Sequence, residues 1–102
     1  DAILSGKVTV AGWAYNEDLG ISSIDIILDG RVVAKANYGI SRGDVASAMN
    51  VQRDPNTPNF GFEAEIDTTH LENGSHWLEL MLINGQGNST PYGKRSLKID
   101  NP

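Results

Sequence analysis

The chain has 102 residues, a net charge of −5 and no cysteine. A chain of this length folds as one domain and can bury a core without metal ions or disulfides, so we predict a single domain over residues 1–102. An acidic surface argues against binding to nucleic acid, which requires a basic surface. The lack of cysteine excludes disulfides, thiolate metal sites and a cysteine nucleophile.

The first strand is predicted over Lys7–Tyr15, after a polar lead-in at residues 1–6. Four residues of this strand share one face, namely Val8, Val10, Gly12 and Ala14. Period-two alternation is typical of a strand that is buried on one side. A glycine inside a strand indicates a bulge or a close approach of another segment, so we expect one of the two at Gly12.

A β-hairpin is predicted after a polar loop at residues 16–20. Ile21–Leu28 alternates strongly and forms the second strand. Asp29-Gly30 favours a two-residue hairpin turn, because both residues tolerate positive φ. The chain returns through residues 31–36, where we expect Val32 or Val33 to face the core.

Residues 37–59 carry no periodic pattern, and they form a long connection for a compact domain. Asp44 is placed to cap a short helical turn near residues 44–49. Pro55 and Pro58 would end that turn and keep the chain extended. We predict a long loop that either packs on the domain or binds a partner.

The most regular part of the chain is Phe60–Ile83. Two alternating runs, residues 60–66 and 75–83, flank a polar crossover in which Leu71 is the one apolar residue. We expect Leu71 to plug one end of the core, and Asn73-Gly74 to form a tight turn before the second run.

The chain closes with a glycine-rich turn at residues 84–88, a strand over Tyr92–Ile99, and residues 100–102, which we interpret as a linker stub. About seven short strands with turn signals between them, and little helix, favour an all-β antiparallel sandwich. The predicted core consists of the inward residues of these strands. They are Val8, Val10, Ile24, Ile26, Leu28, Phe60, Phe62, Ile66, Leu71, Leu78, Leu80, Leu82, Leu97 and Ile99.

A set of turn and core signatures extends over nearly the whole chain. It comprises Gly6-x-Val8-x-Val10-x-Gly12-Trp13-Ala14, Ile21-x-x-Ile24-x-Ile26-x-Leu28-Asp29-Gly30, Arg42-x-Asp44-Val45, Gly61-Phe62 and Leu71-x-Asn73-Gly74-x-His76-x-Leu78. This set resembles a bacterial immunoglobulin-like (Ig-like/fibronectin-like) module that recurs in exported multi-modular proteins and beside glycan-active enzymes. The resemblance implies an Ig-like antiparallel β-sandwich that is not itself catalytic. Two positions depart from the usual pattern: Asn84 replaces an aspartate in the glycine-rich turn, and Gly43 replaces a proline.

We interpret the chain as a structural or interaction module, a spacer or a stabilising partner, within a larger bacterial protein that is secreted or displayed on the cell surface. Its expected partners are neighbouring domains of the same polypeptide, with a polysaccharide or a surface protein as further candidates. The alternatives are a carbohydrate-binding module and a protein-binding adhesin domain that uses residues 37–59. No apolar run is long enough to span a membrane, so we expect no membrane insertion. The chain begins with Asp1, which we interpret as the start of a fragment or of a processed product.

Trp13, Trp77 and Tyr38 are the candidate ligand-binding residues. Both tryptophans are expected on outer strand faces, where planar aromatic rings contact sugars or neighbouring domains. The interpretation that we favour is that residues 37–59 fold over this face and bury one or both indoles.

Arg42-Gly43-Asp44 has the sequence of an integrin-type adhesion tripeptide, but three-residue matches are common by chance. We expect Arg42 and Asp44 to structure the loop instead. Asp44 would cap the helical turn, and Arg42 would pair with a carboxylate or a carbonyl group.

No metal site and no cofactor are predicted. Neither Asn16, Glu17 and Asp18 nor the pair Asn50 and Asp54 match the ligand spacing of a calcium loop. His70 and His76 lack a third ligand at a spacing typical of zinc, and we expect His76 to hydrogen-bond the backbone near Asn73-Gly74.

No catalytic motif is present, and we predict that the chain is not an enzyme. The sequence contains no Gly-x-Ser-x-Gly elbow. Glu63 and Glu65 share one strand face, but outward carboxylates on a sheet are ordinary solvation or edge protection.

Overall fold

The computed structural model describes residues 2–102, which form two facing sheets. The five-stranded sheet has the order β1-β8-β7-β3-β4, and the three-stranded sheet has the order β2-β6-β5. The strands are β1 (Ala2–Leu4), β2 (Lys7–Trp13), β3 (Ile21–Leu28), β4 (Arg31–Lys35), β5 (Asn37–Ile40), β6 (Gly61–Asp67), β7 (Gly74–Asn84) and β8 (Ser89–Ile99). One short helix, α1 (Gly43–Ala48), and a 3-10 turn (Thr68–His70) lie in the connections. The predicted all-β, Ig-like antiparallel sandwich is confirmed.

The core lies between the two sheets and is centred on β3. Ile24 and Ile26 are fully buried because β3 has strands on both sides and the three-stranded sheet above it. Phe60 and Ile99 are equally inaccessible. All four residues belong to the predicted core.

Gly12 provides a close approach rather than a bulge. β2 pairs with β6 without a register shift, and Gly12 lies opposite Phe62. A Cβ atom at Gly12 would come within 3.1 Å of the Phe62 ring, so a side chain here would displace that ring.

The predicted hairpin between β3 and β4 is confirmed, with φ angles of 51° at Asp29 and 82° at Gly30. The prediction that Val32 or Val33 faces the core is wrong, since their exposed fractions are 62% and 39%. β4 is the outermost strand of its sheet, and a bulge between Ile26 and Ile27 shifts its register.

Residues 37–59 contain more structure than the sequence predicts. The segment begins with β5, which completes the three-stranded sheet, and continues into α1. Val45 and Val51 then pack around Phe60 in a second small core. The predicted cap is wrong: the N-cap is Arg42 with no side-chain cap bond, and Asp44 lies inside the helix.

Polar side chains hold the end of the domain where β8 finishes. Asn101 accepts a hydrogen bond from the Gly6 N–H (2.9 Å) and donates one to the Thr68 carbonyl (2.8 Å). Asn73 and the Asn101 backbone exchange two further bonds of 2.8 and 3.0 Å. Leu71 packs against the core beside them, as predicted.

The domain is elongated, with principal extents of 46 × 26 × 19 Å. The lead-in at residues 1–6 contains β1, which pairs in parallel with β8. Over residues 2–102, no helix has the length and apolar character needed to cross a membrane.

Candidate functional site

Both candidate tryptophans reach solvent. The exposed fraction is 38% for Trp13 and 54% for Trp77. The interpretation that residues 37–59 bury one or both indoles is therefore wrong. Val45 and Val51 anchor this segment around Phe60 and Tyr15 instead, so it does not cover the two indoles.

The two indoles belong to separate surfaces, because Trp13 lies on β2 and Trp77 on β7, in different sheets. Trp13 stacks on Tyr15 with ring centroids 6.0 Å apart, and Tyr15 in turn contacts Phe60 at 5.7 Å. Trp77 carries the Lys94 ammonium 5.3 Å from its ring centroid, an attractive cation–π geometry. The structure therefore offers two small aromatic surfaces and not one continuous platform.

Tyr38 is an internal link and not part of either aromatic surface. Its hydroxyl donates a 2.8 Å hydrogen bond to the Ala14 carbonyl, and this bond ties β5 to the end of β2. Burial, together with the nearby Asp54 charge, raises the pKa of Tyr38 to about 12. The phenol therefore remains a neutral donor, which suits a structural role.

Arg42 and Asp44 bind each other through two parallel contacts. The Arg42 Nε lies 3.0 Å from Asp44 Oδ1, and the second guanidinium nitrogen lies 3.1 Å from Oδ2. These bonds lower the pKa of Asp44 and raise the pKa of Arg42. The expected pairing of Arg42 with a carboxylate is present, so the Arg-Gly-Asp tripeptide presents a closed ion pair.

In the two loops considered as calcium sites, the carboxylates accept hydrogen bonds from backbone amides instead. The Glu17 carboxylate accepts the Arg53 N–H at 2.8 Å. Asp54, only 4% exposed, accepts the N–H groups of Asn16 (2.8 Å) and Asn56 (2.7 Å). The sequence did not reveal that these two loops meet, since they lie far apart in the chain. No cluster of potential metal ligands occurs within residues 2–102.

His76 is placed between two acceptors. Its Nε2 lies 2.7 Å from the Glu72 carbonyl, as predicted, and its Nδ1 lies 2.5 Å from Asp29 Oδ2. Because both partners are acceptors, only the protonated ring can donate to both. The Glu72 hydrogen bond is the larger cause of the raised pKa of His76, and the Asp29 hydrogen bond is the next. The Trp77 N–H donates to Asp29 Oδ1 (2.8 Å), and this bond and His76 lower the pKa of Asp29.

A concave opening of about 610 Å³ lies between the outer edge of β2 and the inner face of the β7–β8 hairpin. We call it the edge cleft. Its walls include Gly12, Trp13, Phe62, Leu80, Tyr92 and Arg95. Tyr92 is 63% exposed. Alternation predicted the inward direction of Leu80 but not that this part of the core lies open.

The fold is shared with bacterial fibronectin-like modules. No protein-family model matches the chain, and no curated protein matches it. The structures that resemble it include the fibronectin(III)-like modules of CbhA from Clostridium thermocellum, at 14% identity and a TM-score of 0.61, covering 98% of this chain and 89% of that chain. Another is the endo-β-1,4-mannanase from Thermotoga petrophila, at 13% identity and a TM-score of 0.63, covering 100% of this chain and 18% of that chain. The chain thus has the fold of an Ig-like/fibronectin-like module, as the resemblance implies, and it spans only a small part of the mannanase.

Proposed function

We propose that this chain is a non-catalytic structural module of a larger exported bacterial protein, where it holds its neighbouring domains at a fixed separation and orientation. The fold likeness to fibronectin(III)-like modules and to a module-sized part of a mannanase supports this role. A glycan-active parent is the candidate that these neighbours favour, with a secreted or cell-surface location.

The observation that carries the proposal is the parallel pairing of the first and last strands. Ala2 lies opposite Leu97 and Leu4 opposite Ile99, so the polypeptide enters and leaves the domain in the same direction. Polypeptide preceding β1 and polypeptide following β8 would therefore extend in opposite directions along this strand pair instead of folding back side by side.

Hydrogen bonds attach the end of the described chain to the domain, as a spacer requires. Asn101 is joined to Gly6, Thr68 and Asn73 by side-chain and backbone hydrogen bonds. These bonds leave little freedom before the last residue, because Asn101 is itself half-buried. A neighbouring domain would start from a fixed point.

The test is small-angle scattering of the parent protein and of a variant in which a Gly/Ser linker of equal length replaces this module. We expect discrete inter-domain distances with the module and a broad distribution with the linker, which behaves as a random coil. Identical distributions in the two proteins would remove the spacer role. Hydrolysis of β-mannan and cellulose by residues 1–102 alone is the matching activity assay, and we expect none.

Carbohydrate binding is a second candidate function, and the exposure of the two indoles favours it. Trp77 with Lys94 is the better of the two surfaces, since it is the more exposed and its cation sits beside the ring. Affinity electrophoresis in a mannan gel tests the idea. Retardation that Trp77→Ala abolishes and Trp13→Ala leaves unchanged supports it, whereas equal mobility with and without mannan rejects it.

A further inference from the structure

We infer that the edge cleft binds one additional β-strand, and that this strand is the stretch of polypeptide directly preceding residue 1 in the parent protein. It would pair with the free edge of β2, place alternate apolar side chains in the cleft and complete the three-stranded sheet. This inference rests on the proposed function, in which the chain is one module of a longer polypeptide.

The backbone of β2 has unused hydrogen-bonding groups on the cleft side. The Ala14 N–H donates to the Phe60 carbonyl, and the Thr68 N–H donates to the Gly6 carbonyl. In an antiparallel ladder, only alternate residues bond to a given neighbour, and both bonds are in register with the pairing of β2 and β6. The even-numbered residues of β2 therefore bond to β6, and the odd-numbered ones, Thr9, Ala11 and Trp13, direct their N–H and C=O groups outward.

This edge differs from the other three sheet edges of the described chain. β1 has three residues, β4 has a bulge and charged residues at both ends, and β5 has four residues and a bulge. β2 runs for seven residues without a register shift, and from Val8 to Trp13 it contains neither a charge nor a proline. Bulges, short length and charge are the usual means by which proteins block strand addition, and β2 beyond Lys7 has none of them.

The floor of the cleft is apolar and partly exposed, so it can contact apolar side chains of an added strand. Leu80 and Leu82 belong to the inward face of β7 but remain half-buried, and Tyr92 stands largely in solvent. A strand beside β2 would lie over these residues. Each apolar side chain that it inserted would remove part of their exposed apolar surface from water, which favours association.

The space suits one strand and not a second copy of the domain. Tyr92, Gly93 and Arg95 of β8 line the cleft opposite β2. A whole partner sheet docked on the edge of β2 would also have to fit beside these residues. Both copies would also carry the same net charge of −5.

The course of β1 identifies the source of the strand. β1 already occupies the far part of the same side, with Leu4 packed against the core. Since Ala2 lies opposite Leu97 and the two strands are parallel, polypeptide preceding β1 would point along β8 toward Arg95 and Tyr92, which line the cleft.

Hydrogen exchange of the β2 amides tests the inference, in residues 1–102 alone and in the parent protein. In the isolated domain, we expect fast exchange at Thr9, Ala11 and Trp13 and slow exchange at Val8, Val10 and Gly12. In the parent protein, the odd-numbered amides should exchange more slowly by a factor of about ten or more, because they become hydrogen-bonded in a β-ladder. Equal exchange in the two proteins would overturn the inference, and this outcome is independent of the scattering result.

Ala11→Pro gives a second readout, with Ala11→Val as the control that keeps the N–H. A proline is tolerated at an outward edge position, so it should leave the Tm of residues 1–102 close to that of Ala11→Val. In the parent protein it should lower the Tm of this module by several degrees relative to that control. An equal Tm difference between the two variants in both proteins, or no Tm difference in the parent protein, contradicts strand addition. The hydrogen-exchange comparison uses the natural sequence, so it tests the inference even if the proline variant fails to fold.

Discussion

The two halves of the β7–β8 hairpin are built from similar inward side chains and meet different surroundings. In the half beside β1, which we call the covered half, Leu78, Leu97 and Ile99 are 8%, 5% and 1% exposed. In the half that lines the edge cleft, the cleft half, Leu80 and Leu82 are only half-buried. The difference shows that an inward direction gives burial only where the facing layer extends over the residue.

Polar side chains reinforce the same contrast. The covered half is tied down by Asn101 with Gly6 and Thr68, and by His76 between Glu72 and Asp29. The cleft half has Arg95 and Glu79 at its walls and the free edge of β2 opposite them. Four predictions, from the largest effect to the smallest, test whether the two halves differ in energy as they do in geometry.

Ile99→Ala should be the most damaging of these changes. Ile99 is nearly inaccessible in the covered half, so truncation leaves a cavity that its neighbours cannot fill, and it should cost about 2–5 kcal/mol. Urea unfolding measures the loss. Ile99→Val, which removes one methylene, should cost about 0.5–1.5 kcal/mol, and a loss for the alanine variant as small as that would mean that the covered half is not packed.

Asn101→Ala should be the next most damaging. It removes the acceptor of the Gly6 N–H and the donor to the Thr68 carbonyl, and groups left unpaired in this way cost about 1–3 kcal/mol. Thermal unfolding provides the measurement. The neighbouring Asp100→Ala is the control, because Asp100 is exposed and donates to Leu4 through its backbone; equal losses for the two variants would show that the Asn101 bonds are unimportant.

Alternation explains why so much of the fold was predictable. β3 has the predicted bounds, and Ile24 and Ile26 face the predicted side, since period two reports the direction of a side chain directly. β5 escaped prediction because Gly39, at a φ of 110°, and a bulge break its alternation. Val32 was misplaced because strand order, which decides what covers a residue, leaves no local pattern.

The candidate site was less predictable than the fold for the same reason. Trp13 and Trp77 were correctly identified as outward residues, but their exposure depends on where residues 37–59 pack on the domain. That position is determined by Val45 and Val51, which pack on Phe60. The edge cleft is lined by β2 and by the β7–β8 hairpin, which lie far apart in the sequence, so no single segment encodes it.

Leu80→Ala measures the cleft half directly. From alternation alone, Leu80 belongs to the core, where truncation costs about 2–5 kcal/mol. Because the side chain is only half-buried, we expect about 1 kcal/mol in the isolated domain, from the smaller apolar area removed from water. Urea unfolding beside Ile99→Ala provides the comparison. Equal losses for Leu80→Ala and Ile99→Ala would mean that the cleft half is as tightly covered as the other half.

The pH dependence of stability should reveal the contribution of the His76 hydrogen bonds to Asp29 and to the Glu72 carbonyl. A histidine whose pKa is raised above its ordinary 6.5 contributes stability that is complete below that value and is lost as pH rises through the raised pKa. Asp29, with a pKa below its ordinary 3.8, acts in the opposite sense and loses its contribution as pH falls through the lowered value. The pair therefore stabilises the domain most between these two ordinary values.

We expect thermal unfolding to show a decrease of about 0.5 kcal/mol in this contribution at alkaline pH, a small effect because Asp29 is solvent-exposed and screened. His76→Gln should abolish that decrease. Asp29→Asn should reduce it without removing it, because the Glu72 carbonyl, the larger cause of the raised pKa, still accepts from the ring. If the stability of the natural protein and that of His76→Gln depend on pH in the same way, the His76 hydrogen bonds contribute nothing. The covered half would then owe its stability to apolar packing and the Asn101 bonds alone.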